Sequence, residues 1–485
     1  MAAAGLTFAG LLCAAVALDL LARPRGLRRA AGLWLLGCMT SAIFGLFLAA
    51  SGSLHVALAL ALAVQALLLV ASNAKYAMLG EPLLFSDLAL VGAVFRHPQF
   101  YLSAVAAWKR AVAAMLALVL LAVLVWLSDG DPAPQLAGAA LCAASLAALF
   151  LSLRAPSLRR IATEPDAEAD TRALGLYPTL LLYWLRWRES PDPPPAAPVK
   201  GQEPEGAPEI VVIIQCESFA DPAELFGDPA LALPALQFAR GAAWQWGDLA
   251  VSGFGAYTMR TEYGVLFGRG EPALGFRRFD PYLTATREGS YALPARLHGA
   301  NWRSLFLHPH DMRFYGRHRI MPAGGFAELV GEACFAPPQP GEGRYVTDAA
   351  MADTILARAA EAQQPTLLYA VTIENHGPWA ASGAGGEPGL VPGYLRLVRN
   401  SDAMLATLLD GLRVLRRPAL LVFFGDHRPS IPGATAPGGE RHTPYVMLRL
   451  DEAGQIATGA NRRADLTPAE LHHAILAAAL GRLDP

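Results

Sequence analysis

EIVVIIQCESF, residues 209–219, carries the reading that decides the fold. Its first eight residues are a short, nearly continuous apolar run rich in β-branched side chains, the pattern of a strand buried on both faces. TLLYAVT (366–372) and ALLVFFGD (419–426) repeat that pattern, and stretches of helical character at 348–362 and 395–416 lie between them. Residues 209–485 therefore read as an α/β domain, a sheet covered by helices.

Each run ends in polar residues: Cys216, Glu217 and Ser218; Glu374, Asn375 and His376; Gly425, Asp426 and His427. In open α/β sheets the binding crevice lies at the carboxyl ends of the strands, so these ends can converge. One Asp or His after a strand is ordinarily a turn residue or helix cap. Three ends rich in Glu, Asp and His make a candidate site. Oxygen and imidazole donors from Glu217, Asp426 and His427 suit Mn²⁺, with Mg²⁺ or Zn²⁺ as alternatives. A hydroxyl nucleophile as fourth ligand would be held deprotonated at neutral pH, without a dedicated histidine base.

Upstream, SPDPPPAAPVKGQEPEGAP (190–208) can form neither helix nor sheet, because proline lacks the N–H donor and fixes its backbone angle; it reads as a tether. LYPTLLLYWLRWRES before it interleaves aromatics with Arg, which suits a helix at the headgroup level, so 156–208 is expected to be interfacial helix plus tether. The chain as a whole is 54% apolar and 16% charged, against soluble averages of roughly 45–50% and 25%. The excess lies in the first 153 residues. At about 1.5 Å per residue, a bilayer core of about 30 Å needs some 20 apolar residues. Five spans are expected, at 5–21, 31–51, 54–73, 111–128 and 136–153, in a transmembrane domain of residues 1–155. The first lacks a basic leader and carries Asp19, so it reads as an uncleaved anchor. KYAMLGEPLLFSDLALVGAVF, within an interfacial segment at 74–100, is too polar to span with its Glu81 and Asp87.

A net charge of −2 and a pI near 6.6 offer no clustered cations for nucleic-acid phosphates, and nucleic acid is set aside as a partner. The five cysteines show no CxxC spacing and read as small buried hydrophobes.

The order and spacing of these motifs resemble the lipoteichoic acid synthase and phosphoglycerol transferase family, sulfatase-like members of the alkaline phosphatase superfamily. The resemblance implies an N-terminal α-helical transmembrane bundle and a C-terminal sulfatase-like α/β domain with a mixed sheet. Glu217, before Ser218 and Phe219, takes the family's metal-ligand role. GAYTMRTEYGVLFG (255–268) resembles the segment bearing the threonine nucleophile, which assigns Thr258, with Thr261 and Ser252 as rivals on chemistry alone. LHPHDMRFYGR (307–317) resembles the family's glycerol phosphate site, implying substrate contacts from His308, Phe314, Tyr315 and Arg317, the last as a two-point phosphate clamp. ENHGPW places His376 beside the phosphoryl group, as hydrogen-bond donor or leaving-group acid. FFGDHRP gives Asp426 and His427 as metal ligands beside Glu217 and Thr258.

Departures from the family pattern are Gln215 and Cys216 before Glu217, and Met259 and Arg260 after Thr258. Arg260 is expected to bear on headgroup or acceptor preference. The formylglycine signature of sulfate-ester hydrolases is absent near Thr258.

The implied reaction takes glycerol phosphate from phosphatidylglycerol, through a covalent Thr258 intermediate, to an envelope glycan or polyglycerol phosphate. Phosphoethanolamine transfer and a non-catalytic sulfatase-like envelope protein are the alternatives. The implied place is the bacterial cell membrane, multi-pass, with the catalytic domain facing the periplasm or exterior. The positive-inside rule disagrees: Arg23, Arg25, Arg28 and Arg29 after the first span, and Arg154, Arg159 and Arg160 after the fifth, point inward. A lipid donor and a surface glycan meet outside, and the family topology is the one expected.

Overall fold

The structure is a computed structural model and describes residues 2–88, 115, 122, 132–197, 199, 207–379, 389–438, 441–457 and 459–482. The chain divides into two compact units, Met1–Ser190 and Pro191–Pro485.

In the first unit, helices α1 (Ala2–Leu20), α2 (Ala30–Ser51), α3 (Leu54–Leu79) and α4 (Pro132–Arg154) are followed by α5 (Ala167–Leu174) and α6 (Leu176–Glu189). Among the described residues, α2, α3 and α4 are long and apolar enough to cross a membrane, and Gly5–Leu20 is a shorter apolar helix. The expected span at 111–128 lies outside the described residues, apart from 115 and 122, as does 89–100 of the interfacial segment. Glycines let α2 and α4 approach closely: a Cβ on Gly45 would sit 2.6 Å from the Cys142 nitrogen, the small-residue contact by which apolar helices associate.

One boundary differs from expectation. The third helix does not stop at 73 but runs to Leu79, where Gly80 caps it at φ 70°. Its polar last turns are paid into local bonds: Asn73 bonds the Arg23 amide and the Leu21 carbonyl, and Lys75 reaches Asp87 at 2.5 Å and Glu81 at 3.2 Å. Helix α6 buries Leu176, Tyr177, Leu180, Leu182 and Tyr183 within the first unit.

The second unit holds eight strands: β1 (Ile210–Cys216), β2 (Gln245–Ala250), β3 (Arg303–Leu307), β4 (Glu328–Val330), β5 (Thr366–Val371), β6 (Ala419–Gly425), β7 (His442–Leu450) and β8 (Arg462–Arg463). They form one sheet in the order β4-β3-β5-β1-β6-β7-β2-β8. β1 runs parallel to β5 and β6, whereas β7 is antiparallel to both β6 and β2, so the sheet is mixed. Every residue of β1, β5 and β6 is buried, as continuous apolar strands under helices on both faces must be. Helices α7 (Thr258–Phe267), α8 (Asp348–Ala360), α9 (Leu390–Leu415) and α10 (Pro468–Ala479) belong to this unit.

The proline-rich segment is held where it begins. Ala196 N–H donates to Ser290 Oγ at 3.0 Å, Tyr291 donates to the Pro194 carbonyl at 2.8 Å, and Asp192 pairs with Arg277 and Arg287. Residues 191–197 are therefore a strap on the second unit.

Candidate metal centre and nucleophile

The centre lies where β1 and β6 end. Ser218, just past β1, turns at φ 51°, and this aims its N–H at Asp426 Oδ1, 2.8 Å away. Glu217 N–H donates to Thr372 Oγ1 at 3.0 Å, and Ser218 Oγ donates to Glu217 Oε1 at 2.9 Å. Gly425 lets the two ends meet, because a Cβ there would collide with the Phe219 carbonyl. His427 Nε2 then stands 3.5 Å from Glu217 Oε1 and 3.6 Å from Asp426 Oδ2. One ligand atom from each of Glu217, Asp426 and His427 lies within 4.8 Å of the others, and all three residues are buried.

Electrostatically this is a place for a cation. Burial, then the charge of Glu217, pushes the Asp426 carboxyl up to about 7. Burial alone would lower His427, but Asp426 and Glu217 outweigh it and raise the imidazole. Asp426 Oδ2 is buried and makes no well-formed hydrogen bond, although the Thr258 hydroxyl is its neighbour. A buried acceptor without a partner is costly unless something charged faces it. His427 Nδ1 meets the Arg428 carbonyl at 3.1 Å, which fixes Nδ1 as the donor and leaves Nε2 as a ligand atom. Two carboxylates and one imidazole fit a divalent ion such as Mn²⁺, Mg²⁺ or Zn²⁺.

Thr258 opens α7, the residue before it, Tyr257, standing in the left-handed region at φ 75°. The turn delivers the Thr258 hydroxyl to Asp426 at a helix N-terminus, whose partial positive charge favours a developing alkoxide. The rival Thr261 is otherwise engaged: its hydroxyl donates to the Asp426 carbonyl at 2.7 Å.

Beside the centre, Arg317 is paired within the chain. Its Nε and Nη2 donate to the two carboxylate oxygens of Glu262 at 2.9 and 2.6 Å, and its Nη1 faces His308 Nε2 at 3.1 Å. The side chain is 2% exposed, so the two-point fork read as a phosphate clamp is closed on a carboxylate of the chain itself. His308 donates from Nδ1 to the Val371 carbonyl at 3.0 Å; burial, then Arg317, holds its pKa well below the usual histidine value. Both ring nitrogens of this neutral imidazole are used.

The Phe314 and Tyr315 rings lie 4.2 Å apart, tilted at 47°, with Arg317 over the Tyr315 ring at 5.3 Å. His376, partly buried, points Nδ1 at the Gly377 carbonyl at 2.8 Å. The Tyr345 ring stands edge-on to His376 at 5.9 Å and feels the charge of Glu217. Arg344 stacks over Tyr345 at 4.4 Å and donates to the Gly377 carbonyl at 2.9 Å. Sequence reasoning missed Tyr345 and Arg344, which carry no motif. It also missed Glu262 as the partner of Arg317, since 55 residues separate the pair.

A hydroxyl at a helix N-terminus, beside two carboxylates and an imidazole at the ends of parallel strands, makes a site suited to holding a divalent ion next to a nucleophile. The chain belongs to the sulfatase family, which it matches over residues 209–481. It is similar to the capsular polysaccharide biosynthesis protein RkpI of Rhizobium meliloti (strain 1021), with 30% identity over 422 residues, 82% of this chain and 78% of that protein. Similar solved structures include the Streptococcus pyogenes phosphoglycerol transferase GacH in complex with sn-glycerol-1-phosphate (15% identity, TM-score 0.46, 59% of this chain and 78% of that one). The lipoteichoic acid synthase LtaP of Listeria monocytogenes is another (16% identity, TM-score 0.44, 57% and 72%).

Proposed function

We propose that this protein is a membrane-anchored phosphoglycerol transferase, moving glycerol phosphate from phosphatidylglycerol to an envelope glycan or polyglycerol phosphate. The observation that carries the reading is the Thr258 hydroxyl beside Asp426, within the cluster that also holds Glu217 and His427. The ordered motifs of the sequence support it, and the capsular polysaccharide role named for RkpI fits a glycan acceptor.

In the first step Thr258 Oγ forms a bond to phosphorus and loses its proton to solvent. The bond from phosphorus to the diacylglycerol oxygen breaks, and that oxygen takes a proton from His376 or water. The product is a glycerophospho-threonine. In the second step an acceptor hydroxyl forms a bond to phosphorus and gives its proton to His376 or water, while the bond to Thr258 breaks and the threonine oxygen takes a proton from solvent. Glu217, Asp426 and His427, with Thr258, would hold the divalent ion, Mn²⁺ being the first choice. When bound, that ion stabilises negative charge on oxygen. Phe314, Tyr315 and His376 are the proposed headgroup contacts; Arg344 and Tyr345 flank them. Arg317 and His308 hold the wall behind. The catalytic domain is proposed to face the periplasm or exterior, where donor and acceptor meet.

The test is the intact mass of the Thr258 peptide after incubation with phosphatidylglycerol and Mn²⁺. An added glycerophosphate is expected, absent from Thr258→Ala. Labelling from phosphatidylethanolamine alone would replace this donor by phosphoethanolamine, and no adduct from either lipid would end the transferase reading.

A further inference from the structure

Resting on that reading of Thr258 as nucleophile, we infer that Arg260 is a positioning residue, holding the strained turn that aims the threonine. Tyr257 adopts φ 75° and ψ 33°, a region that residues with a Cβ occupy only when their surroundings enforce it. The enforcement is visible. The Arg260 guanidinium lies 3.8 Å over the Tyr257 ring, and the Arg260 N–H donates to the Tyr257 carbonyl at 2.8 Å. Arg260 Nε also donates to the Phe279 carbonyl at 3.1 Å, and its guanidinium stands 5.7 Å from the Phe279 ring. The arginine thus pins Tyr257 to a neighbouring segment.

The upstream half of the same turn is fixed differently. Gly255, at φ 63°, donates its N–H to the Arg428 carbonyl at 2.8 Å, Phe254 is bridged to Arg428, and Arg441 donates to the Ser252 carbonyl at 2.9 Å. These backbone bonds tie the turn to the loop bearing Asp426 and His427. Between Gly255 and the helix, the Arg260 guanidinium packs on Tyr257. The arginine also lines a 630 Å³ cavity whose walls include none of Glu217, Thr258, Asp426 or His427. The inferred effect on the reaction passes through Tyr257. Misplacing a reacting atom by about 1 Å costs on the order of 100-fold, so a slack turn shows in turnover.

Steady-state kinetics with phosphatidylglycerol on the full-length protein, for Arg260→Ala, Arg260→Lys, Tyr257→Gly and the double variant Tyr257→Gly with Arg260→Ala, tests this. Arg260→Ala is expected to lower kcat by roughly 10- to 100-fold while KM and Mn²⁺ affinity stay within about twofold. Arg260→Lys keeps a cation over the ring and recovers part of the loss. Glycine accepts the left-handed turn unaided, so in the Tyr257→Gly background removing Arg260 should cost no more than about threefold. An equal loss in both backgrounds, or a loss carried by KM, overturns the inference and makes Arg260 a substrate contact. A readout independent of the lipid is the crystal structure of Arg260→Ala, or of Arg260→Met if the alanine variant does not fold. Tyr257 retained at positive φ with Thr258 still beside Asp426 would refute the inference. Failure of the wild type to use phosphatidylglycerol would remove only the donor assignment, and the structural readout would still decide Arg260.

Discussion

Asp426 shows how one buried carboxyl links metal, proton and stability. Its pKa of about 7 in the fold lies above the ~3.9 of an unfolded chain. Without metal, the folded protein keeps a proton that the unfolded chain releases across that interval. Stability from this group is therefore lost as pH rises from about 4 to 7 and stays lost above. Asp348, pushed up to about 8 by burial and by Glu374, acts with the same sign up to that pH. A divalent ion held by the proposed ligands would take the place of the Asp426 proton, so its benefit would grow as the proton leaves. Thermal melts at pH 5.5 and 8 should show a larger Mn²⁺-induced rise in Tm at pH 8. Asp348→Asn should flatten the metal-free decline while leaving the Mn²⁺ increment. An increment equal at both pH values would contradict the assigned ligand set. A second residue-scale outcome concerns Glu262, which is fully buried and pairs with Arg317. Glu262→Ala leaves a buried guanidinium uncompensated, and denaturant unfolding should report a loss of about 3–5 kcal/mol.

At the level of elements, the three strands legible in the sequence prove to be neighbours, β5-β1-β6, at the centre of the sheet. They were readable because burial on both faces leaves an unbroken apolar run, and because their polar ends stand out against it. The outer strands were not. β2 (QWGDLA), one strand in from the edge, and the arginine pair of the edge strand β8 carry polar residues near the sheet margin, and β4 has only three residues. Of the candidate site, Glu217, Asp426 and His427 were legible because they abut those central strands. The closure of Arg317 on Glu262 was not, because it depends on a turn and a helix packing together far apart in sequence. The junction of β1 and β6 gives an element-scale prediction. Gly425→Ala drives a Cβ into the Phe219 carbonyl, backbone that cannot rotate aside, so the strand ends must part. Overpacking of this kind costs about 1–3 kcal/mol. Because Glu217 and Asp426 ride on those ends, calorimetric Mn²⁺ titration should show weakened affinity as well as lower stability. Unchanged affinity would mean the ends yield without moving the ligands.

For the molecule as a whole, the open matter is the side of the membrane on which the sulfatase unit works. The charge rule counted Arg23, Arg25, Arg28 and Arg29 as cytoplasmic markers. Arg28, however, is sealed in the first unit: its Nε donates to Asp19 at 2.7 Å with both side chains 1% exposed, and its Nη1 and Nη2 bond the carbonyls of Thr171, Arg172 and Asp19. A guanidinium so occupied is a packing element, and the cluster is weaker as a topological signal than its composition suggests. The proposed chemistry points the other way, since an envelope glycan acceptor and a lipid donor would require the centre outside. A reporter enzyme that folds only after export, fused after Pro485, should accordingly be active, and the same fusion to a reporter active only in the cytoplasm should be silent. The reverse pair of results would place Thr258 in the cytoplasm. An envelope glycan could not then be the acceptor, whatever adduct the threonine forms.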